Sequence, residues 1–356
     1  MIRHIQGRRP SAVFSILAVV TALVGVAIPR SLDARTGPPT LRDSDDDHRV
    51  YLLLAENVPG SFNEVVQRLV DQVGESEWEI VGRVDSGTDF KGCEYPAHVL
   101  ILHSPDYAAT VLQAGLRGAF AVPVRIAVFE DEGGIHVGAT NPLSLNRTMV
   151  AEEGMQEEWL AVAEDLRALG AAAFPESAST EEYGQKRDKG RIGRTMGIMA
   201  GGPFDEKITE VTRIPRTDEM GLTEVATRLM DGMGAVPGDW EWELAPVFAI
   251  DLQDQGFAVL GVAGAQVERR SFDIVGKGGD DRRKEYRWPG LNHAPAYPVE
   301  VVIADEGEEI AIYVINEMFR MKMYFENAGK MAFARNMGMP GSIEDELKDK
   351  IRASLN

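Results

Sequence analysis

Short β-branched runs alternate with amphipathic stretches along this chain, and the alternation occurs twice. Val50–Leu54 is the first apolar run and predicts a strand. Between Phe62 and Val73 the apolar residues Phe62, Val65, Val66, Leu69, Val70 and Val73 recur at helical spacing, with Ser61 placed to cap the helix and Gly74 to stop it. Trp78–Val81 and Val99–Leu102 predict two more strands, and Asp106–Leu116 a helix that starts behind Pro105. The stretch from Pro123 to Glu132, followed by Ile135–Val137 and ending at Asn141, predicts a hairpin: two β-branched runs around an acidic turn that contains glycine. Gln156–Leu169 predicts a closing amphipathic helix.

The order then returns. Pro298–Glu306, Ile310–Ile312 and Asn316 keep the offsets of the first hairpin for the proline, the acidic turn, the apolar residues and the asparagine. Asn63–Asp71 is answered by Thr223–Asp231, Gly74 by Gly234, and Trp78-Glu79-Ile80 by Trp242-Glu243-Leu244. Phe257–Leu260 stands for the third strand and Ser342–Leu355 for the closing helix. A match this long points to internal duplication. The second copy adds a charge-rich stretch that includes Arg269, Arg270 and Asp280–Lys284, and an insertion over roughly 323–340. Insertions on a duplicated scaffold are where an interface is commonly added. The expected organisation is an N-terminal segment 1–35, an acidic tether 36–49, a repeat over 50–170, a polar and loop-like linker 171–195, and a second repeat over 196–356.

Arg3, Arg8 and Arg9 precede an uncharged run, Ser11–Ile28, about 27 Å long as a helix. That exceeds the ordinary signal-peptide core and reaches the length of a spanning helix. The expectation is a retained single-pass anchor through residues 11–28 in a bacterial cytoplasmic membrane, with the N-terminus cytoplasmic and the main body periplasmic. Leu32-Asp33-Ala34 is a passable cleavage site, and a cleaved, periplasmic protein is the alternative. The formal net charge is -19. Phosphate contacts need a basic footprint, so this balance argues against a general nucleic-acid binder and favours basic partners. The single cysteine, Cys93, allows no intrachain disulfide.

The order FNEVVQRLVDQVG, WEIV, VLILHSPDYAATVLQA and VPVRIAVFEDEGGIHVGATNP resembles the domain-of-unknown-function 302 family over about residues 50–170. The second copy resembles it more weakly, through TEVATRLMDGMG and YPVEVVIADEGEEIAIYVIN. There Gly261-Val262-Ala263-Gly264 replaces the Ser104-Pro105 that follows the first copy's third strand, and Glu317 replaces Pro142. The resemblance implies an α+β fold with helices packed on an antiparallel sheet. The fold class expected for the whole chain is therefore two duplicated α+β domains preceded by one transmembrane helix. The resemblance implies no catalytic residues.

The sequence contains no Walker A motif, no dinucleotide fingerprint, no HExxH and no GxSxG elbow. Cys93 with His98 or His103 is the one nucleophile–base combination to weigh, and no catalytic residue is assigned. Methionine is concentrated late in the chain. Met318, Met321, Met323, Met337 and Met339 have spacing workable for Cu(I), which thioethers suit. The same segment carries Phe319 and Phe325, which with its methionines suit an apolar partner contact. Lys186, Arg187, Lys189, Arg191 and Arg194 form a basic island that suits an anionic surface. The functional expectation is a non-enzymatic, membrane-anchored accessory subunit of a larger membrane assembly, respiratory or photosynthetic. Its partners would be other subunits of that complex and a basic electron carrier. A periplasmic Cu(I) or small-ligand binding module is the second reading, and an enzyme without a recognised motif the third.

Overall fold

The structure is a computed structural model that describes residues 48–87, 93–150, 155–187, 201–276, 289–325, 328 and 330–356. The expected anchor and most of the tether lie outside these residues. Among the described residues no helix is long and apolar enough to cross a membrane.

The first repeat begins with β1 (His48–Ala55), six of whose residues are buried in an unbroken apolar run. Helix α1 (Phe62–Gly74) buries Val65, Leu69 and Val73, the i, i+4, i+8 stripe of its sequence. The Glu64 carboxylate accepts the Ser61 backbone N–H at 2.8 Å, and that bond holds its pKa below the usual range. β2 (Glu79–Asp85) and β3 (Ala97–His103) follow. Helix α2 (Pro105–Val111) has Pro at its first position and Ser104 as its cap. A short helix, α3 (Leu116–Ala119), leads into the hairpin of β4 (Val124–Asp131) and β5 (Gly134–Thr140). Helix α4 (Pro142–Met149) is capped by Asn141, whose side chain accepts the Leu143 N–H, and α5 (Gln156–Ala173) closes the repeat.

The 171–195 stretch, expected to be loop-like, contains β6 (Glu182–Arg187), which pairs antiparallel with β1 and completes a sheet of order β2-β3-β4-β5-β1-β6. Its polar composition hides it, because an edge strand has no apolar run to announce it.

The second repeat supplies β7 (Ile208–Pro215), α6 (Leu222–Gly232), β8 (Ala245–Leu252), β9 (Phe257–Ala263), α7 (Ala265–Gly276), β10 (Val299–Asp305), β11 (Glu309–Ile315), α8 (Glu317–Phe325), α9 (Lys330–Ala334) and α10 (Met339–Leu355). Its sheet runs β7-β11-β10-β9-β8, the first sheet's order without the added strand. The registers agree as well. Ile126 faces Ala139 in one hairpin and Val301 faces Val314 in the other, and the irregularity between Ile80 and Gly82 is matched by one between Pro246 and Phe248. Both acidic turns work the same way: Asp131 accepts the Gly133 N–H at 2.7 Å, and Asp305 the Gly307 N–H at 3.0 Å. One sequence match shifts. Ile80 pairs with Leu102 as Pro246 does with Val262, so Trp78 corresponds to Leu244 and Trp242 falls two residues early.

The two repeats pack together within one unit, Ser44–Asn356. Helices α1 and α5 cover one face of the first sheet, and α6 and α10 one face of the second. Between the sheets the packing is reciprocal. The 3-10 segment Pro289–Ala296 of the second repeat lies on β4, while α3 of the first lies on β9 and β10. Equivalent residues meet each other. A Cβ at Gly82 would lie 2.8 Å from the Cβ of Phe248, its counterpart, and Arg125 is ion-paired with Glu300, the residue at the same offset from the hairpin proline. Residues that touch their own counterparts lie on a two-fold axis, so the repeats form an isologous pair within one chain.

Candidate binding grooves and the buried inter-repeat network

The first groove lies on the helical side of repeat 1, between the end of α1, α2 and α5, with a volume of about 680 Å³. Trp78 and Tyr107 form its aromatic part, with ring centroids 5.8 Å apart. The turn after α1 places the tryptophan: Ser76 Oγ donates to the Val73 carbonyl and accepts the Trp78 N–H. The Tyr107 hydroxyl points inward, donating to the Ala121 carbonyl at 3.0 Å, and burial raises its pKa. Glu77, Asp106, Glu158 and Asp165 line the groove, and the described lining includes no Lys, Arg or His. None of these four carboxylates has a basic partner among the described residues. Alanines of α5 at 161, 168 and 172 keep that wall low.

The second repeat has a groove in the matching place, between Trp242, α7 and the start of α10, with a volume of about 630 Å³. Here Gln266 stands where the first repeat has Asp106, and Arg270 where it has Thr110. Arg335 and Glu241 also line it. One scaffold position thus carries a carboxylate-lined groove in one repeat and an arginine-bearing groove in the other.

A buried polar network fills the axis between the sheets. Glu300 on β10 faces two guanidinium groups, Arg125 of β4 and Arg320 of α8, and Arg320 also reaches Glu317 at 3.5 Å. All four side chains are at most 3% exposed. The Tyr324 ring lies under both guanidiniums, at 5.2 and 5.0 Å, and Tyr51 donates to the Tyr324 carbonyl at 3.1 Å. Tyr183 of β6 stacks on Tyr51 and donates to the Asn292 carbonyl at 2.7 Å, which ties the added strand to the second repeat. Farther out, Glu268 of α7 accepts the Gly87 N–H at 2.7 Å. Burial pushes Glu268 up to about 7, with the Gly87 bond acting in the opposite direction, and it pushes Glu317 up to about 7 against the pull of Arg320. Burial lowers the Arg125 pKa.

The residues singled out from sequence are scattered across this frame. Phe319 is fully buried against Phe204, and Phe325 lies on His293 and Tyr297. Both face the interior between the repeats, so neither is an exposed partner contact. Met321 and Met339 line one small cavity with Phe325, Met323 is buried, Met318 is half-buried and Met337 is exposed. On α8 Met321 and Met323 point to opposite sides, because two residues advance a helix by about 200°. Lys186 is exposed on β6, whereas Lys189, Arg191 and Arg194 lie outside the described residues, as does the Arg187 side chain. Cys93 is buried. His98 and His103 sit near opposite ends of β3 on opposite faces, and His98 Nδ1 is bonded to Asp85 at 2.8 Å. Among the described residues no group of three or more His, Cys, Asp or Glu is arranged to hold a metal ion.

Neither groove was identified in sequence, and neither was the Arg125–Glu300 pair. The pair did have a signal: each repeat interrupts an apolar hairpin strand with one charge, two residues after its proline, and the two charges are opposite.

The architecture is a tandem α+β protein whose repeats each carry helices on an antiparallel sheet. Residues 54–173, within the first repeat, match the family described as Domain of unknown function DUF302. A crystal structure of an uncharacterized conserved DUF302 protein from Bacillus stearothermophilus is also similar: 22% identical, covering 33% of this chain and 91% of that one, with a TM-score of 0.27. No curated protein matches the chain.

Proposed function

We propose that this protein is a non-enzymatic docking subunit, held at the outer face of a cytoplasmic membrane by its N-terminal run, and that it takes a basic partner of a larger membrane assembly in the groove of its first repeat. The observation that carries the reading is that groove: four carboxylates without basic partners around two aromatic side chains. Clustered carboxylates repel one another, and an arriving cationic surface relieves that repulsion while the wider acidic body speeds its approach. The aromatic side chains give the contact an apolar centre. A soluble basic electron carrier or a basic segment of a neighbouring subunit fits this chemistry.

The test is the native size of the full chain after mild detergent extraction from its own membranes, with co-migrating chains identified. The expected result is migration within a larger assembly, with the partner released by salt and by the triple variant Asp106→Asn, Glu158→Gln, Asp165→Asn. A wild-type chain that migrates alone at its own mass overturns the docking reading. Retention of the partner by the triple variant removes the groove from it.

A second reading, Cu(I) binding, is favoured by one observation: Met321 and Met339 share a cavity. Thioethers are soft ligands suited to that ion. Unchanged Cu(I) affinity in Met321→Leu excludes this site.

A further inference from the structure

The groove of the second repeat has chemistry of its own. Arg270 and Arg335 both line it, and neither has a carboxylate partner among the described residues, in a chain with 56 acidic residues. Arg270 is steadied by donating from Nη2 to Asn336 Oδ1 at 2.8 Å, and Asn336 is itself anchored by donating to the Ala332 carbonyl. The Ser342 hydroxyl is already engaged, accepting from the Trp242 indole and donating to the Met339 carbonyl. The unmet hydrogen-bonding capacity of this groove is therefore that of the two guanidiniums, the Gln266 amide and one carboxylate, Glu241, so positive charge is in excess. Its volume of about 630 Å³ suits a small molecule. The matching positions in the first repeat, Asp106 and Thr110, carry no positive charge, so the cationic character is specific to this copy.

We propose that the groove between α7 and α10 binds a small organic oxyanion, with Arg270 and Arg335 as its recognition residues. A guanidinium presents a planar fork of donors that matches the oxygens of a carboxylate or a phosphate. The site is independent of the carboxylate-lined groove, and its ligand has the opposite charge.

Trp242 lines the groove and serves as the reporter. The full chain is titrated with citrate and, separately, with inorganic phosphate, against sodium chloride of matched ionic strength, following tryptophan fluorescence and heat. The expected result is saturable binding of at least one of the two, weakened roughly ten-fold or more in Arg270→Gln/Arg335→Gln, since losing a charge-assisted bond is of that size. The anion that saturates identifies the group, carboxylate or phosphate. Both arginines are exposed, so the variant is expected to keep the wild-type circular dichroism and melting temperature. The single variants Arg270→Gln and Arg335→Gln provide the same test should the double variant fail to fold. Absence of saturation by either anion, or equal affinity in wild type and folded variants, overturns the proposal.

Discussion

The two repeats share strand order, register and even the irregularity in the second strand, yet they differ in their grooves and at the axis where they meet. In repeat 1 the groove beside α2 is lined by carboxylates; in repeat 2 its counterpart carries two arginines. On the axis, repeat 1 places a glycine and an arginine, and repeat 2 a phenylalanine and a glutamate. A pair of identical subunits could not do this, since each axial residue would meet its own copy, arginine against arginine. Joining the repeats in one chain frees the axial positions to be complementary, and the same freedom allows the two grooves to diverge.

The largest expected effect comes from breaking the axial charges. Glu300 answers two buried guanidiniums, whereas Arg125 is one of two cations that answer Glu300. Glu300→Gln should therefore cost more than Arg125→Met. Removing one side of a buried pair costs about 3–5 kcal/mol when it strands a charge; Glu300→Gln strands Arg125 and leaves Arg320 with Glu317 alone, at 3.5 Å. Arg125→Met leaves Glu300 paired with Arg320 and should lose less. Urea unfolding of the two variants checks the order; an equal or reversed loss would mean that Glu300 is not the shared counter-charge.

Next in size is the axial phenylalanine. Phe248 lies across its strand pair from Gly261, whose added Cβ would come within 1.8 Å of the ring, and it also fills the space left by Gly82. Phe248→Ala should cost about 3–5 kcal/mol. Gly261→Ala alone should cost about 1–3 kcal/mol by overpacking. Together they should cost clearly less than the sum, because removing the ring makes room for the methyl group. Simple additivity in thermal unfolding would show that Gly261 is not a glycine because of the ring above it.

How much of this was legible depends on whether a feature is local. The hairpins, their acidic glycine-containing turns and the Asn at each end were visible because each is fixed within a few residues. α1 and α6 were visible because half-burial leaves a stripe. α4 and α8 were not: every residue of α4 is buried, as is most of α8, and burial on all sides erases periodicity. β6 was missed because it is polar, and the Trp242 match was misplaced because a local resemblance cannot report strand register. The grooves depend on how helices distant in sequence meet, which no spacing rule conveys. Arg125 and Glu300 could have been paired by asking why two buried strands each tolerate one charge.

The smaller effect of pH also separates the repeats, because among the described residues the two raised carboxyls, Glu268 and Glu317, both belong to the second. Each titrates near 7 when folded and near 4.5 when unfolded. Between those values the unfolded chain gives up its protons while the folded chain keeps them, so this contribution is full below about pH 4.5 and is lost as pH rises to about 7. The depressed carboxyl of Glu182, bonded to His48 and the Arg49 N–H, acts in the other direction and loses its contribution as pH falls below 4.5. Stability from this set should peak near pH 4.5–5 and fall by about 1–3 kcal/mol per raised group toward neutrality. Glu268→Gln, which keeps an acceptor for the Gly87 N–H, should flatten that fall. An unchanged slope would mean that Glu268 is not among the groups responsible.

The smallest difference can be erased with one atom pair. The first helix of repeat 1 opens with Ser61 and Glu64, whereas that of repeat 2 opens with Gly221 and Glu224, and Gly221 makes no side-chain cap. The glycine has no need of its freedom here: its φ of -94° and ψ of 179° are extended values that serine adopts, and a Cβ there would meet nothing within 4 Å. Gly221→Ser should therefore complete in repeat 2 the cap that repeat 1 already has, with its hydroxyl available to an N–H of the first turn. Glu224 is held by Arg228 at 2.9 Å and must share its oxygens, so the gain should be a few tenths of a kcal/mol up to about 1 kcal/mol. The converse change, Ser61→Gly, should lose a similar amount from repeat 1. A rise in melting temperature for the first variant matched by a fall for the second would show that the two helix starts differ only in the cap. A loss from Gly221→Ser would mean that the start of α6 is held by something other than its backbone angles, and that the repeats diverge in local structure as well as in what they face.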